Sequence, residues 1–181
     1  MKNLLQGKRI KLTAIEKKDI PKFTEWYNDT NFMRHYDVIS AVPKTTEEVE
    51  KIVYEVTNSN EQYIFAIRDI ESGEFIGVTG FENILWNNGT ALIYIGIGNE
   101  KYRGMGIGEE AMQLAIEFGF REFNFYKIWL TVLEYNFSAI KLYEKIGFER
   151  EGVNREFIYR DGKRYDLYNY GLFRSNWILK A

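Results

Sequence analysis

The stretch KYRGMGIGEE, residues 101–110, places three glycines at alternate positions behind an arginine and ahead of two glutamates. It follows a nearly apolar run, residues 90–98, that predicts a central strand, and it leads into residues 107–121, whose apolar spacing predicts a helix. A glycine-rich turn between a strand and a helix presents unpaired amides and the positive end of the helix dipole to one point. The stretch therefore indicates an anion site, such as a diphosphate site. Taken alone, it leaves open the alternative that the glycines serve only to turn the chain.

The spacing of these glycines disfavours two common phosphate-binding loops. A Walker A loop requires Gly-Lys-Ser/Thr after its glycines, whereas Gly108 is followed by Glu109 and Glu110. A dinucleotide fingerprint requires a third glycine three positions after the second and begins the first βαβ unit of a domain. Glu109 stands at that position, in the second half of the chain. The sequence therefore disfavours nucleoside triphosphate hydrolysis and NAD binding.

The remaining segments alternate between strand and helix patterns. Strands are predicted at residues 9–13, 63–68, 75–81, 90–98, 127–133, 153–159 and 165–173, and helices at residues 19–27, 46–56, 107–121 and 136–146. Residues 28–43 are predicted to be a loop, and Asp19 is predicted to cap the first helix. The alternation indicates an α/β or α+β fold built on a mixed sheet. Because no repeat or linker interrupts it, we expect a single domain over residues 1–181.

The composition limits the classes of function. The chain has 24 basic and 26 acidic residues among 181, a net charge of −2, so we expect no nucleic acid partner. It has no cysteine, which excludes disulfides, thiolate zinc sites and a cysteine nucleophile, and we expect no metal site. No uncharged run is apolar enough to cross a bilayer or act as a signal core. We therefore expect a cytoplasmic protein with no membrane association.

A second motif, NFSAIKLYEKIGF at residues 136–148, follows the strand predicted at residues 127–133. Together the two motifs resemble the GNAT superfamily of acyl-CoA-dependent N-acetyltransferases. The pyrophosphate loop of that family, Arg/Gln-x-x-Gly-x-Gly/Ala, matches Arg103, Gly106 and Gly108, and its Asn-x-x-(Ser/Ala)-x-x-x-Tyr-x-x-x-Gly-Phe segment matches Asn136, Ala139, Tyr143, Gly147 and Phe148. The resemblance covers almost the whole chain. Residues 9–20 and 155–173 are most similar to the branch that contains ribosomal-protein N-terminal acetyltransferases and spermidine acetyltransferases.

The resemblance implies a single GNAT domain, with a mixed, mostly antiparallel sheet of about seven strands flanked by about four helices. It also implies acetyl-CoA as cosubstrate. In the family's arrangement, backbone groups of Ile95, Gly96 and Ile97 pair with the pantetheine arm, and the main chain of Arg103, Gly104, Met105, Gly106, Ile107 and Gly108 cradles the pyrophosphate. Asn136 would hydrogen-bond the pantetheine, and the Tyr143 hydroxyl would point at the thioester sulfur. The structural alternatives are a helix cap for Asn136 and a core aromatic for Tyr143.

The sequence identifies the residue that would accept the amine proton less clearly than it identifies the acetyl-CoA site. Many GNAT relatives carry glutamate where Leu92 stands, so that role does not transfer to this chain. We nominate Glu82, at the end of a strand beside the strand that would bind acetyl-CoA, acting directly or through water, with Glu134 in reserve. A solvated strand-end carboxylate is the alternative reading of Glu82. The only histidine, His35, is not favoured as a base.

The acceptor pocket is expected between residues 28–43 and the C-terminal hairpin, because the family places it there. Residues predicted to line it are Trp26, Tyr27, Phe32, Tyr36, Asp37, Tyr159 and Tyr168. An α-amine with a pKa of about 7.7–8.0 is easier to deprotonate than an amine at about 10.4, which slightly favours a peptide or protein N-terminus as acceptor. A polyamine or other small amine, a non-catalytic acyl-CoA sensor and a purely structural module are the alternatives. Homodimers and higher homo-oligomers are left open.

Overall fold

A computed structural model describes residues 3–178 and contains one seven-stranded sheet in the order β1-β2-β3-β4-β5-β7-β6. The strands are β1 (Ile10–Thr13), β2 (Tyr63–Asp69), β3 (Phe75–Leu85), β4 (Thr90–Ile97), β5 (Lys127–Leu133), β6 (Glu149–Arg160) and β7 (Lys163–Phe173). Every pair of neighbours is antiparallel except β4 and β5, which are parallel. The predicted mixed, mostly antiparallel sheet of seven strands is confirmed.

Helices cover both faces of this sheet. Within residues 3–178 they are α1 (Ile20–Asn28), α2 (Thr30–Tyr36), α3 (Thr46–Thr57), α4 (Ile107–Arg121), α5 (Phe137–Ile146) and α6 (Arg174–Ile178). Ala66 and Ile67 are consecutive on β2, so their side chains point to opposite faces of the sheet. Ala66 belongs to an apolar cluster with α1, α2 and α3, whereas Ile67 belongs to a larger cluster with α4 and α5. The sheet is therefore the middle of three layers. None of the described helices is long and apolar enough to cross a membrane.

The parallel strands β4 and β5 separate soon after they meet. They pair only at Thr90 with Lys127, Ala91 with Ile128 and Leu92 with Trp129. β4 then continues to Ile97, and β5 continues to Leu133, without a partner across this junction. The result is an opening in the sheet bordered by backbone groups.

Residues 28–43 are not simply a loop, and this prediction was wrong. They contain α2, which begins after Asp29; the carboxylate of Asp29 accepts hydrogen bonds from the amides of Asn31 at 2.9 Å and Phe32 at 3.2 Å. Phe32 and Met33 are buried in the cluster formed with α1 and α3. The short helix forms because its amides are capped and its apolar face is covered.

The prediction that Asp19 caps α1 was also wrong. Its carboxylate makes no cap to that helix; it accepts a hydrogen bond from the amide of Glu16 at 2.7 Å and pairs with the guanidinium of Arg68. Asp19 and Arg68 are both almost fully buried. A buried carboxylate gains more from a charged, hydrogen-bonded partner than from a helix amide, which explains why the ion pair takes precedence.

Candidate active site

The separation of β4 and β5 opens a cleft of about 920 Å³ that is bordered by α2, by α5 and by the glycine-rich turn before α4. Most of the predicted site residues line it: Glu82, Ile95, Gly96, Ile97, Arg103, Gly104, Gly106, Gly108, Asn136 and Tyr143. Two predicted residues do not. The side chain of Met105 is 56% exposed on the outer surface, and Ile107 is buried in the core, so each can contribute only main-chain groups to the turn.

The glycine-rich turn, which borders the cleft, contains a run of free amides. The amides of residues 104–109 donate to no acceptor within residues 3–178; the first paired amide of α4 is that of Glu110, bonded to Gly106 O at 3.2 Å. Gly104 and Gly106 have φ angles of +72° and +78°, in the left-handed region that favours glycine. Because Gly106 precedes α4 without a capping side chain, the helix amides and the positive end of the dipole stay available. This arrangement fits the phosphate groups of a ligand.

Arg103 lines the cleft, but its guanidinium closes the turn. Its Nε donates to the carbonyl of Ile97 at 3.0 Å, and a further nitrogen lies 3.1 Å from the carboxylate of Glu100. These contacts join the end of β4 to the turn that starts α4. The arrangement agrees with main-chain amides as the principal anion donors and Arg103 as a secondary one.

The two glutamates at the start of α4 are each paired with a basic residue. The carboxylate of Glu109 lies 2.6 Å from Lys145 Nζ on α5, and that of Glu110 lies 2.9 Å from Arg9 Nε. Unpaired, two carboxylates at this position would repel an anion bound to the helix amides. Each ion pair offsets the charge of one carboxylate, so Glu109 and Glu110 are compatible with an anion site at the start of α4.

Asn136 and Tyr143 come from α5. Asn136 caps that helix, since its Oδ1 accepts from the amide of Ala139 at 3.3 Å, and its Nδ2 donates to the carbonyl of His35 on α2 at 3.3 Å. Tyr143 is 7% exposed, and burial raises its pKa to about 12. Burial alone shifts this pKa, and the hydroxyl makes no hydrogen bond within residues 3–178. The cleft therefore contains a neutral phenol that is free to donate a hydrogen bond.

Glu82 lies further along the cleft, on β3. It stands directly opposite Leu92 of β4, and side chains of directly opposed residues share one face of a sheet. The carboxylate of Glu82 is half-buried and accepts no hydrogen bond within the described part of the chain. Burial, followed by the negative charge of Asp37, raises the pKa of Glu82 above its usual range.

Tyrosines surround this end of the cleft. Tyr27, Tyr36 and Tyr94 line it together with Asp37 and Glu82. Burial and then the two carboxylates raise the pKa of Tyr27 to about 12, and burial also raises those of Tyr36 and Tyr94, so all three hydroxyls stay neutral at physiological pH. An end of a cleft that combines two carboxylates with aromatic rings is suited to a cationic group.

The sequence profile of the acetyltransferase (GNAT) domain matches residues 9–149, which is most of the chain. The chain belongs to the GNAT acetyltransferase family. The family resemblance predicted from the two motifs is therefore confirmed, and so is the prediction of an enzyme that transfers acetyl groups. As a GNAT acetyltransferase, the protein takes its acetyl group from acetyl-CoA.

Similar GNAT proteins cover nearly the full length of the chain. An uncharacterized N-acetyltransferase derived from the SPbeta prophage, YokL of Bacillus subtilis, is 28% identical over 96% of this chain and 94% of its own. The spermidine N(1)-acetyltransferase of Escherichia coli is 25% identical over 93% of this chain and 88% of its own. The [ribosomal protein uS5]-alanine N-acetyltransferase of the same organism is 22% identical over 93% and 90%.

A solved structure shows the same GNAT fold. Spermidine N-acetyltransferase from Vibrio cholerae, determined in complex with CoA and spermine, superposes with a TM-score of 0.86. The match covers 94% of this chain and 98% of that one, at 24% sequence identity. At this level of identity the likeness establishes the fold, which agrees with the sheet and helix layers described above.

Three predicted acceptor-pocket residues lie elsewhere. Trp26 is buried, and its ring fills the space above Gly98, where an added Cβ would lie 2.0 Å from a ring atom. Tyr159 is 59% exposed on the C-terminal hairpin, and Tyr168 stacks beneath an arginine; neither borders the cleft. The other predicted pocket residues, Tyr27, Phe32, Tyr36 and Asp37, do line it.

The second candidate for the base, Glu134, lies outside the cleft. Its carboxylate accepts a hydrogen bond from the amide of Asp166 at 2.7 Å, and it does not line the cleft. His35 lies at the cleft border on α2 but is exposed, with Nδ1 2.8 Å from the carbonyl oxygen of Asn31. Among the carboxylates considered from the sequence as bases, only Glu82 stands in the cleft.

Tyr94 was missed by the sequence reading, although a signal for it exists. Alternate residues of a strand share one face, so Tyr94 and Gly96 point the same way from β4. An added Cβ on Gly96 would lie 2.7 Å from the ring of Tyr36 and 2.8 Å from that of Phe32, so this glycine makes room for α2. A glycine two residues after a tyrosine in a buried strand could have indicated that aromatic rings gather there.

Proposed function

We propose that this GNAT enzyme transfers the acetyl group of acetyl-CoA to a primary amine of a small di- or polyamine. The observation that carries the proposal is that Glu82 and Asp37 share one end of the cleft, close enough for the charge of Asp37 to raise the pKa of Glu82. Two carboxylates in one pocket match a substrate with more than one ammonium group. The rings of Phe32 and Tyr36, stacked 5.1 Å apart, add apolar surface for the carbon chain between the amines.

The acetyl-CoA site assigned from the sequence is proposed to lie along β4 and the turn. Acetyl-CoA supplies the acetyl thioester when bound. The main chain of residues 103–108 would bind the diphosphate, the backbone of Ile95, Gly96 and Ile97 the pantetheine arm, and the Asn136 amide a further polar group of that arm. A charge-assisted hydrogen bond contributes about 1.5–3 kcal/mol, so three or four of the free amides are enough to hold a diphosphate. The support is that the amides of residues 104–108 have no acceptor within residues 3–178, whereas the Arg103 amide already donates to the carbonyl of Glu100 at 3.0 Å.

Tyr143 is proposed to donate a hydrogen bond to the thioester sulfur as negative charge develops there. Transfer of its proton to a thiolate is unfavourable, because the pKa of Tyr143 is raised to about 12. A thiol has a pKa of about 8.5, and a gap of this size costs about 5 kcal/mol. Tyr143 is therefore proposed to stabilise the negative charge on sulfur by a hydrogen bond. It is not proposed to protonate the thiolate as a general acid, a role for which a phenol of ordinary pKa is better suited.

Glu82 is proposed to accept the proton of the amine, directly or through water. An amine with a pKa of about 10.4 is protonated at pH 7, and reaching its neutral form costs about 4–5 kcal/mol. A carboxylate with a raised pKa is a stronger base than an ordinary glutamate, which brings it closer to this task. The half-buried position of Glu82 supports this role over that of a solvated strand-end carboxylate.

An N-terminal amine of a peptide or protein is the second candidate acceptor. It requires less base strength, because deprotonation of an α-amine costs only about 1 kcal/mol at pH 7. The relative named for acetylating an alanine of ribosomal protein uS5 supports it. The relative and the solved structure named as spermidine acetyltransferases, together with the paired carboxylates, favour the polyamine.

Matched acceptors distinguish these candidates. Release of CoA thiol is measured with spermidine, with butylamine as a monoamine and with a peptide that has a free N-terminal alanine. We expect kcat/KM for spermidine to exceed that for butylamine by about tenfold or more, the equivalent of about 1.4 kcal/mol for a second ammonium on a carboxylate. Asp37→Asn should remove most of this difference. The local structure should be kept, because the Oδ1 of asparagine can still accept the hydrogen bond that Asp37 Oδ1 accepts from the amide of Val38 at 2.6 Å.

Other outcomes of the same assay would contradict the proposal. Faster turnover of the peptide than of either amine would favour the N-terminal acceptor. No release of CoA thiol with any acceptor, by a protein that still binds CoA, would favour a non-catalytic acyl-CoA sensor. A lack of CoA binding by the folded protein would overturn the assignment of the turn itself.

Replacing Gly106 with alanine is expected to weaken CoA binding by about tenfold. Gly106 has a φ of +78°, a conformation that L side chains rarely adopt, so alanine there would strain or move the turn that is proposed to bind the diphosphate. Gly108→Ala is the matched control and should change the affinity little, because the family loop carries glycine or alanine at that position. An added Cβ on Gly108 would meet Leu142, Ile97 and Ile95 at 3.6 to 4.0 Å, which are ordinary contacts. Calorimetry with CoA measures the affinity and a thermal melt checks that the fold is retained; unchanged affinity in Gly106→Ala would move the diphosphate site away from the turn.

Two expectations from the sequence stay predictions: that residues 1–181 form a single domain and that the protein is cytoplasmic. The oligomeric state, for which the sequence left a homodimer or higher homo-oligomer open, also stays open. Light scattering of the purified chain would measure this state. The proposed chemistry is confined to groups of one chain and does not depend on the outcome.

A further inference from the structure

Arg9, immediately before β1, connects the start of the sheet to the glycine-rich turn. Its Nη1 donates to the carbonyl oxygen of Met105 at 2.7 Å, and its Nε donates to the carboxylate of Glu110 at 2.9 Å. The turn and the first turn of α4 are thus held by one guanidinium from a residue about a hundred positions away in the sequence. A guanidinium suits such a contact because its donors are fixed in one plane.

The carboxylate of Glu110 is itself held by the main chain just before β1. Its Oε1 accepts hydrogen bonds from the amides of Lys8 at 2.7 Å and Arg9 at 2.8 Å. Burial raises the pKa of Glu110, but the hydrogen bonds to its carboxylate outweigh burial and leave the pKa below its usual value. An added Cβ on Gly7 would lie 2.4 Å from this oxygen, so the glycine leaves the space that the carboxylate occupies. Arg9 and Glu110, named here the latch, are therefore each hydrogen-bonded to the main chain as well as to one another.

The latch determines which way the amide of Gly106 points. The described chain has no cis peptide bond, and in a trans peptide the carbonyl and the following N–H point in opposite directions. Since the carbonyl of Met105 is held toward Arg9, the N–H of Gly106 points away from Arg9, and Gly106 lines the cleft. A turn rich in glycine would otherwise sample many conformations.

We infer that Arg9 is a positioning residue for acetyl-CoA: it fixes the turn with its amides facing the cleft, so that the site is ordered before the diphosphate binds. The inference rests on the proposed use of this turn as the diphosphate site. Ordering the turn in advance reduces the entropy lost on binding, which is how a residue without contact to the ligand raises affinity. Arg9 is thus distinct from a residue that pairs directly with phosphate.

The test compares CoA with pantetheine, which lacks the diphosphate and the 3′-phosphoadenosine of CoA. We expect Arg9→Met to raise the Kd for CoA by about tenfold in calorimetry, and to change the Kd for pantetheine, measured by competition, by less than about twofold. Lys8→Met is the matched control, since it removes one positive charge from the neighbouring residue and leaves the latch intact. Gly7→Ala, which alters no charge but displaces the carboxylate of Glu110, should shift the Kd for CoA in the same direction as Arg9→Met.

The outcomes separate this inference from the proposed function. If the unaltered protein binds CoA and Arg9→Met matches Lys8→Met, the positioning role of Arg9 is wrong and the proposed function stands. Equal losses for CoA and pantetheine would show that Arg9 acts on the fold in general, which also overturns the role. If the unaltered, folded protein binds no CoA, both the proposed acetyl-CoA site and this inference are wrong.

Discussion

Replacing Tyr143 with phenylalanine is expected to lower kcat by about 10- to 100-fold while leaving the affinity for CoA unchanged. Only the hydroxyl is lost, and a hydrogen bond to a charged atom contributes about 1.5–3 kcal/mol. Because negative charge on the sulfur develops during the reaction, the loss falls on kcat and not on ground-state binding. Initial rates of CoA release and calorimetry with CoA, on the same samples, measure the two quantities.

A second tyrosine gives the opposite pattern and serves as the control. The hydroxyl of Tyr143 makes no hydrogen bond within residues 3–178, so Tyr143→Phe should leave the free energy of unfolding nearly unchanged. The hydroxyl of Tyr170 donates to the exposed carboxylate of Glu144 at 2.8 Å, so Tyr170→Phe should lose about 0.5–1.5 kcal/mol of stability and keep kcat. Unchanged turnover in Tyr143→Phe would remove this residue from the mechanism.

The long periodic segments of the fold could be predicted from the sequence. The helix predicted at residues 107–121 and the strand predicted at residues 127–133 have the bounds that the structure shows for α4 and β5. In each, the apolar period and the buried face agree, and each lies between breaks in the pattern. The alternation of strand and helix segments along the chain then predicted a fold built on a mixed sheet.

The short helix α2 could not be predicted in the same way. With seven residues it is too short to be stable alone, and it has only three apolar side chains, Phe32, Met33 and Tyr36. It persists because Phe32 and Met33 are covered by α1 and α3, which is a tertiary effect. The capping signal at Asp29 was present in the sequence, but without the packing it does not distinguish a helix from a turn.

Pairings between distant residues were the other limit. The cap predicted at Asp19 is replaced by its ion pair with Arg68, which lies on another element, and no local pattern reveals this. The same limit applies to the site. The motifs identified the turn, Asn136 and Tyr143, whereas the environment of Glu82 depends on Asp37, which α2 brings into the cleft.

Replacing Glu82 with glutamine is expected to lower kcat/KM for the amine by about 100-fold or more, since a positioned general base contributes about 10²–10⁴ in rate. Glutamine has nearly the same shape and retains one oxygen, but it cannot accept the proton. The affinity for CoA should not change, because Glu82 lies on β3, away from the turn that is proposed to bind the diphosphate. Rates with spermidine and calorimetry with CoA measure the two effects.

The pH dependence tests the same residue. Because burial and Asp37 raise the pKa of Glu82, the acidic limb of kcat/KM should lie above the usual glutamate value of about 4.3. Glu82→Gln should remove this limb from the residual activity. Asp37→Asn removes one cause of the raised pKa, so it should move the limb to lower pH. A limb that stays in place in both variants would assign the proton acceptor to another group.

The carboxyl of Glu82 should also reduce stability at neutral pH. Its pKa is higher in the folded state than in the unfolded chain, so between the two values the folded state binds more protons and the free energy of unfolding falls as pH rises. Glu82→Gln should therefore be more stable than the unaltered enzyme at pH 7, and the difference should vanish at about pH 3, more than one unit below the unfolded value, where the carboxyl is protonated in both states. Denaturant unfolding at the two pH values measures this difference. A carboxylate retained for structure would show the reverse, because its loss would destabilise the fold at pH 7. If Glu82→Gln is both inactive and more stable, Glu82 serves catalysis and lowers the stability of the fold at pH 7.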